Sequence, residues 1–162
     1  MLRSVALLFA FFALTATPLR AETREEWITL GARVHGGFGS FIPLGIKIGL
    51  DAVTRLKAEP RQLLVTYYDS DLSPCACFAD GIAIATYSSI GQRTLSIANE
   101  KAPRHTLAVI IIRPRQGGHG LKYVIPASAL PRLGAMNKTL DPAGRYDAVM
   151  SEENLFTVEA FQ

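Results

Sequence analysis

Apolar side chains recur at helical spacing in three segments of the first half of the chain. The pattern predicts a short helix over residues 25–34, a largely buried helix over 41–56 and a second buried helix over 77–86. Thr23 is placed to cap the first helix, with Glu26 three residues later as its capping-box partner. In the second helix Gly45 and Gly49 are four residues apart, so we expect another element to approach closely there.

The second half of the chain contains most of the β-type patterns. Strands are predicted over residues 62–68, 106–113, 121–125 and 155–161, with a short helix over 127–132 and an exposed loop over 137–146. Residues 106–113 are apolar enough for the centre of a sheet. The fold class predicted is α+β, a single domain with N-terminal helices packed on a mixed or antiparallel β-sheet.

The first 21 residues are typical of a secretory signal peptide. A positive start at Arg3 precedes an apolar stretch and a short polar exit that ends at Ala21. The apolar run is only about ten residues, whereas a membrane span needs about 20, so a membrane anchor is the minor alternative. We therefore expect a signal peptide at 1–21, a domain at 22–162, a periplasmic or secreted location, and no stable membrane span in the mature form.

The charge balance argues against a nucleic-acid partner. Cleavage after Ala21 removes Arg3 and Arg20 from a formal net charge of +3 and leaves +1. No cluster of lysine and arginine stands out in the remaining sequence. An exposed sheet edge would allow a homodimer.

Both cysteines lie in one short motif, Ser73-Pro74-Cys75-Ala76-Cys77. In an oxidising compartment two cysteines usually form a disulfide. With one residue between them, we expect a tight and strained ring whose Cα separation and torsion are hard to bring into the favoured range. A strained disulfide, two buried core residues and two metal ligands are the alternatives that the sequence leaves open.

Two motifs resemble a known family. His35-Gly36-Gly37-Phe38-Gly39 precedes the apolar helix at 41–56, and Cys77-Phe78-Ala79-Asp80-Gly81-Ile82 follows later. In order and spacing these resemble the FmdE-like family, named after a component of formylmethanofuran dehydrogenase, with its His-Gly-His and Cys-x-x-Asp-Ala/Gly-Ile motifs. Gly37, Ala83 and Ser88 stand where that family has histidine, glutamine and a second cysteine. The resemblance therefore implies that His35, Cys77 and Asp80 carry over.

The residue types favour a transition metal. A thiolate and an imidazole are ligands that zinc and copper prefer, and zinc is our first expectation. His35 and Cys77 would be the first two ligands, and Cys75, Asp80 or His119 would supply a third. The sequence thus predicts a periplasmic metal-binding FmdE-like domain, with a metallochaperone or accessory role, and it leaves open whether any catalysis occurs.

Two other classes of function remain open. One is a small-ligand module for haem or a pterin, with its pocket at Gly36, Gly37, Gly39 and Ser88, and with His35 as an axial ligand. The other is a thiol enzyme that uses Cys75 or Cys77 as the reactive group and His35 as a base. The absence of a Cys-x-x-Cys motif argues against the thiol enzyme.

Overall fold

The computed structural model describes residues 22–162, and the predicted signal peptide lies outside them. Its elements in chain order are α1 Arg24–His35, α2 Phe41–Leu56, β1 Leu63–Asp69, α3 Cys77–Thr86, β2 Leu95–Ile97, β3 Thr106–Pro114, β4 Gly120–Pro126, a 3-10 turn Ala127–Ala129, α4 Leu130–Thr139, α5 Pro142–Ser151 and β5 Thr157–Phe161. The predicted α+β class is confirmed. Within the described residues, no helix combines the length and apolar character that crossing a bilayer requires.

The five strands form one mixed sheet in the order β2-β1-β3-β4-β5. Strands β1 and β2 pair in parallel, and the other neighbours pair antiparallel. The apolar run at 106–113 forms the central strand β3, as its composition predicted. The short strand β2 was not predicted, because its three residues at the sheet edge are too few to show a period.

One face of the sheet packs on the helices and forms the core. Side chains alternate along each strand, so Val65, Ile110 and Tyr123 point to that face and are at most 2% exposed. Most of helix α2 is buried, with Ile46 at 0%. The predicted buried helix at 41–56 is confirmed with the same bounds.

Helices α2 and α3 cross at two glycines. A Cβ atom added at Gly45 would lie 2.2 Å from the carbonyl oxygen of Phe78, and one added at Gly81 would lie 2.2 Å from that of Ile42. The backbones therefore approach more closely than any side chain at these positions would allow. The predicted close approach at Gly45 and Gly49 is confirmed, and α3 is the partner.

The predicted exposed loop at 137–146 is wrong. Helix α4 continues to Thr139, and α5 begins at Pro142. Asp141 caps α5, because its Oδ1 accepts a hydrogen bond of 2.7 Å from the Gly144 amide. Proline is tolerated at a first helical position, so Asp141-Pro142 begins a helix here and does not mark a loop.

Candidate functional site

His35, Cys75 and Cys77 meet at one place on the surface, and we call them the His/Cys cluster. One potential ligand atom from each residue lies within 4.8 Å of the other two. His35 is the last residue of α1, Cys75 lies in the loop before α3, and Cys77 is the first residue of α3. The cluster thus joins two helix termini that are far apart in sequence.

The end of α1 is fixed by a glycine. Gly36 has a φ of +85°, in the left-handed region that glycine adopts without penalty, and its amide donates to the carbonyl oxygen of Ala32. The helix therefore stops directly after His35. At its other end, Thr23 and Glu26 form the predicted capping box.

The cysteine loop is held by serine side chains. The buried Ser70 donates a 2.9 Å hydrogen bond from its Oγ to the Leu107 carbonyl of β3. Ser73 donates a 2.7 Å hydrogen bond to the carbonyl oxygen of Cys75. The Ser70 bond holds the loop against the central strand, and the Ser73 bond holds the backbone of the loop just before α3.

Asp80 orients the imidazole of His35. Its Oδ2 lies 2.8 Å from Nδ1 of His35, and the two side chains are 40% and 30% exposed. A carboxylate accepts a hydrogen bond, so the proton of the neutral imidazole belongs on Nδ1. The lone pair of Nε2 is then available, as in histidines that bind metals with a carboxylate behind them.

The two cysteines form a disulfide in the structure. Their Cα atoms are 5.3 Å apart, well inside the usual range of disulfides. The expectation that one intervening residue would keep this separation out of range is therefore wrong. The two sulfurs become metal ligands only after reduction, because a metal takes the thiolate form.

The donor set of the reduced cluster suits a tetrahedral metal ion. In a zinc site, bonds of about 2.3 Å to sulfur and about 2.0 Å to nitrogen put the ligand atoms roughly 3.5 to 3.8 Å from each other. In the disulfide the two sulfurs are bonded to each other, so on reduction they would have to move apart to this distance, while a nitrogen of His35 already lies within 4.8 Å of both. Three protein ligands would leave one coordination position for water or an outside ligand.

Of the other predicted ligand-binding residues, Ser88 lies far from the cluster. Ser88 is buried beyond the C-terminal end of α3, where it accepts a hydrogen bond from Thr86. The ten residues of α3 put about 14 Å between its ends. A Cβ atom on Gly37 would meet open space, and one on Gly39 would contact the side chain of Asn137.

His119, the other predicted third ligand, is exposed between β3 and β4. The cysteine loop follows the end of β1 at Asp69, which pairs with Ala108 near the start of β3. His119 follows the opposite end of β3. His119 and the cysteine loop therefore leave the sheet at opposite ends.

Sequence reasoning missed a cleft beside the cysteine loop. Its volume is about 280 Å³, and residues 70–72 and 101–106 line it. Lys101 Nζ lies 3.7 Å from a carboxylate oxygen of Asp69 and 3.4 Å from one of Asp71. The only sequence signal was the close spacing of Lys101, Arg104 and His105, which no motif explained.

A comparison with known families assigns most of the chain to one family. The family model described as "FmdE, Molybdenum formylmethanofuran dehydrogenase operon" matches residues 34–155. A search of curated proteins finds no match. The matched region covers most of the chain and includes all three residues of the cluster, and the chain therefore belongs to the FmdE family.

Proposed function

We propose that this protein binds a transition metal ion through His35, Cys75 and Cys77, with zinc as the first choice. The observation that carries the proposal is the meeting of three ligand atoms of the preferred types within 4.8 Å. Asp80 would hold the imidazole of His35 in the orientation that a metal requires. The metal would supply Lewis acidity and an open coordination position.

The location and role follow as parts of the same proposal. The sequence before residue 22 is typical of an export signal, so we place the protein in the periplasm. A site with three ligands, of which His35 is exposed, favours exchange of the ion with a partner over permanent structural binding. This supports a carrier or accessory role for a soft or borderline metal.

The experiment is metal analysis of the purified protein after reduction. The protein is loaded with zinc or copper, freed of excess ion, and measured by elemental mass spectrometry beside His35→Ala, Cys75→Ser and Cys77→Ser. His119→Ala is the matched control, because it removes an exposed histidine from the opposite end of the sheet. We expect one metal ion per chain in the wild type and the control, and loss in the three cluster variants.

Two results would contradict the proposal. Wild-type protein that is reduced and folded but refuses both metals would exclude the site. Equal metal content in the wild type and the cluster variants would place the metal elsewhere.

The visible absorption spectrum of the same samples tests the haem alternative, and size-exclusion chromatography tests the predicted homodimer.

A further inference from the structure

The disulfide of the cluster has a second chemistry available that needs no metal. The half-buried Cys75 is joined to the buried Cys77, next to an imidazole that a carboxylate orients. A disulfide that also has a proton carrier beside it is equipped to exchange with outside thiols. The surroundings of the two sulfurs decide in which direction such an exchange would run.

The two cysteines differ in accessibility. Cys77 is 6% exposed, whereas Cys75 is only half-buried and follows the exposed Pro74. Leu72, in the same loop, is 48% exposed and lines the cleft at residues 70–72 and 101–106. An incoming thiol therefore reaches Cys75 first, and the apolar wall of the cleft offers a place for the chain that carries the thiol.

The position of Cys77 suits a leaving group. It is the first residue of the ten-residue helix α3, and the capping residue Ala76 makes no side-chain hydrogen bond to the first-turn amides. Negative charge is favourable at a helix N-terminus, and more so where no capping oxygen already fills the place. When the disulfide opens by attack on Cys75, the charge appears on Cys77, where the helix stabilises it.

His35 is placed to move the proton. Potential ligand atoms of His35 and of the two cysteines lie within 4.8 Å of one another, and Asp80 engages Nδ1. Nε2 can thus take the proton of an incoming thiol and return it to a cysteine sulfur. This role uses the same nitrogen as metal binding, so His35 cannot bind a metal ion and transfer a proton at the same time.

We propose that the Cys75–Cys77 disulfide oxidises dithiols in polypeptide segments. The first substrate sulfur attacks Sγ of Cys75, the bond between the two cysteines breaks, and its electron pair leaves on Sγ of Cys77. The second substrate sulfur then attacks the first one, forms the substrate disulfide, and releases Cys75. The substrate loses two electrons and two protons, and the protein gains them as two thiols.

The test uses oxidised protein, excess EDTA, and a synthetic peptide with two cysteines as the probe. EDTA removes metal, so failure of the proposed metal site would not affect the result. We expect one equivalent of peptide disulfide per chain, continued turnover when glutathione disulfide is added as the oxidant, and at least tenfold slower exchange in His35→Gln. His119→Ala should exchange at the wild-type rate, and unfolding curves must show that both variants are folded.

Single-cysteine variants test the order of attack. With oxidised peptide, Cys77→Ser should form a mixed disulfide through Cys75 at least tenfold faster than Cys75→Ser does through Cys77, as followed by mass spectrometry. Equal rates would overturn the assigned order. A wild-type disulfide that a phosphine reduces but the dithiol peptide does not would overturn the proposed activity.

Discussion

Replacing Gly45 by alanine puts a methyl group where α2 crosses α3. The added Cβ would lie 2.2 Å from the Phe78 carbonyl oxygen and 2.9 Å from the Gly81 Cα. Both are backbone atoms of α3, so no side-chain rotation can remove the overlap. The helices must separate, or the substitution cannot be accommodated.

The size of the effect follows from the separation required. Ordinary contact begins at 3.4 Å, so the helices would have to move apart by about 1.2 Å. That movement loosens the packing of Phe41 on Phe78, whose ring centroids are 4.7 Å apart. Overpacking of a core costs about 1 to 3 kcal/mol, and we expect the upper end because backbone blocks relaxation. The better helix propensity of alanine offsets about 1 kcal/mol, which leaves a net loss of about 2 kcal/mol.

Urea unfolding followed by circular dichroism measures this loss. Gly134→Ala is the matched control, because Gly134 lies in α4 and its added Cβ would meet nothing within 4 Å. The control should gain about 0.5 to 1 kcal/mol from helix propensity alone. If Gly45→Ala instead unfolds within about 0.5 kcal/mol of wild type, the range of ordinary surface substitutions, the crossing is not the tight contact described.

Three further predictions concern single polar contacts. Tyr123→Phe removes the 2.8 Å hydrogen bond to Asp51 and should cost about 0.5 to 1.5 kcal/mol in urea unfolding. Burial, followed by the Asp51 hydrogen bond, raises the pKa of Tyr123 above its ordinary 10.0, so the unfolded tyrosine ionises first. Stability should therefore be intact below about pH 10 and fall above it, and Tyr123→Phe should lessen that fall; an unchanged slope in the variant would refute this cause. Thr23→Ala should cost about 1 kcal/mol while Thr23→Ser keeps the cap, and equal stability of the two would argue against the capping box. Asp80→Ala should weaken metal binding about 10- to 100-fold by releasing His35, and an unchanged affinity in titration calorimetry would show that this contact does not orient the ligand.

The sequence was sufficient where periodicity and composition agreed. Helix α2 and the central strand β3 each show one strong pattern over many residues, and both were placed correctly. The glycines at 45 and 49 also predicted a close approach. The partner was not predictable, because Gly81 and Ala85 belong to a different helix and the sequence does not show which helices cross.

Helix α5 was not predicted because its first residues are common both in turns and at the starts of helices. Asp141, Pro142 and Gly144 mark turns when read singly, yet here they form a capped helix start. Whether these residues form a turn or begin a helix depends on how α5 packs against the rest of the domain. Within α5, only Val149 is fully buried. A helix with so few buried positions shows little apolar periodicity.

The site was predicted in part. The family resemblance singled out His35, Cys77 and Asp80, and the structure places all three together. The bond between Asp80 and His35 was not foreseen, because it depends on how α1 meets α3. The Cα separation of the two cysteines was predicted wrongly, since it follows from the loop conformation and not from the number of intervening residues.

X-ray absorption at the zinc edge tests the central claim most directly, because it counts the ligand types around the bound ion. Zinc-loaded, reduced protein should show two sulfur atoms at about 2.3 Å and nitrogen or oxygen at about 2.0 Å. The spectrum of His119→Ala should match the wild type, whereas Cys75→Ser and Cys77→Ser should retain no zinc for the measurement. A first shell of nitrogen and oxygen alone in the wild type would contradict a metal site at His35, Cys75 and Cys77.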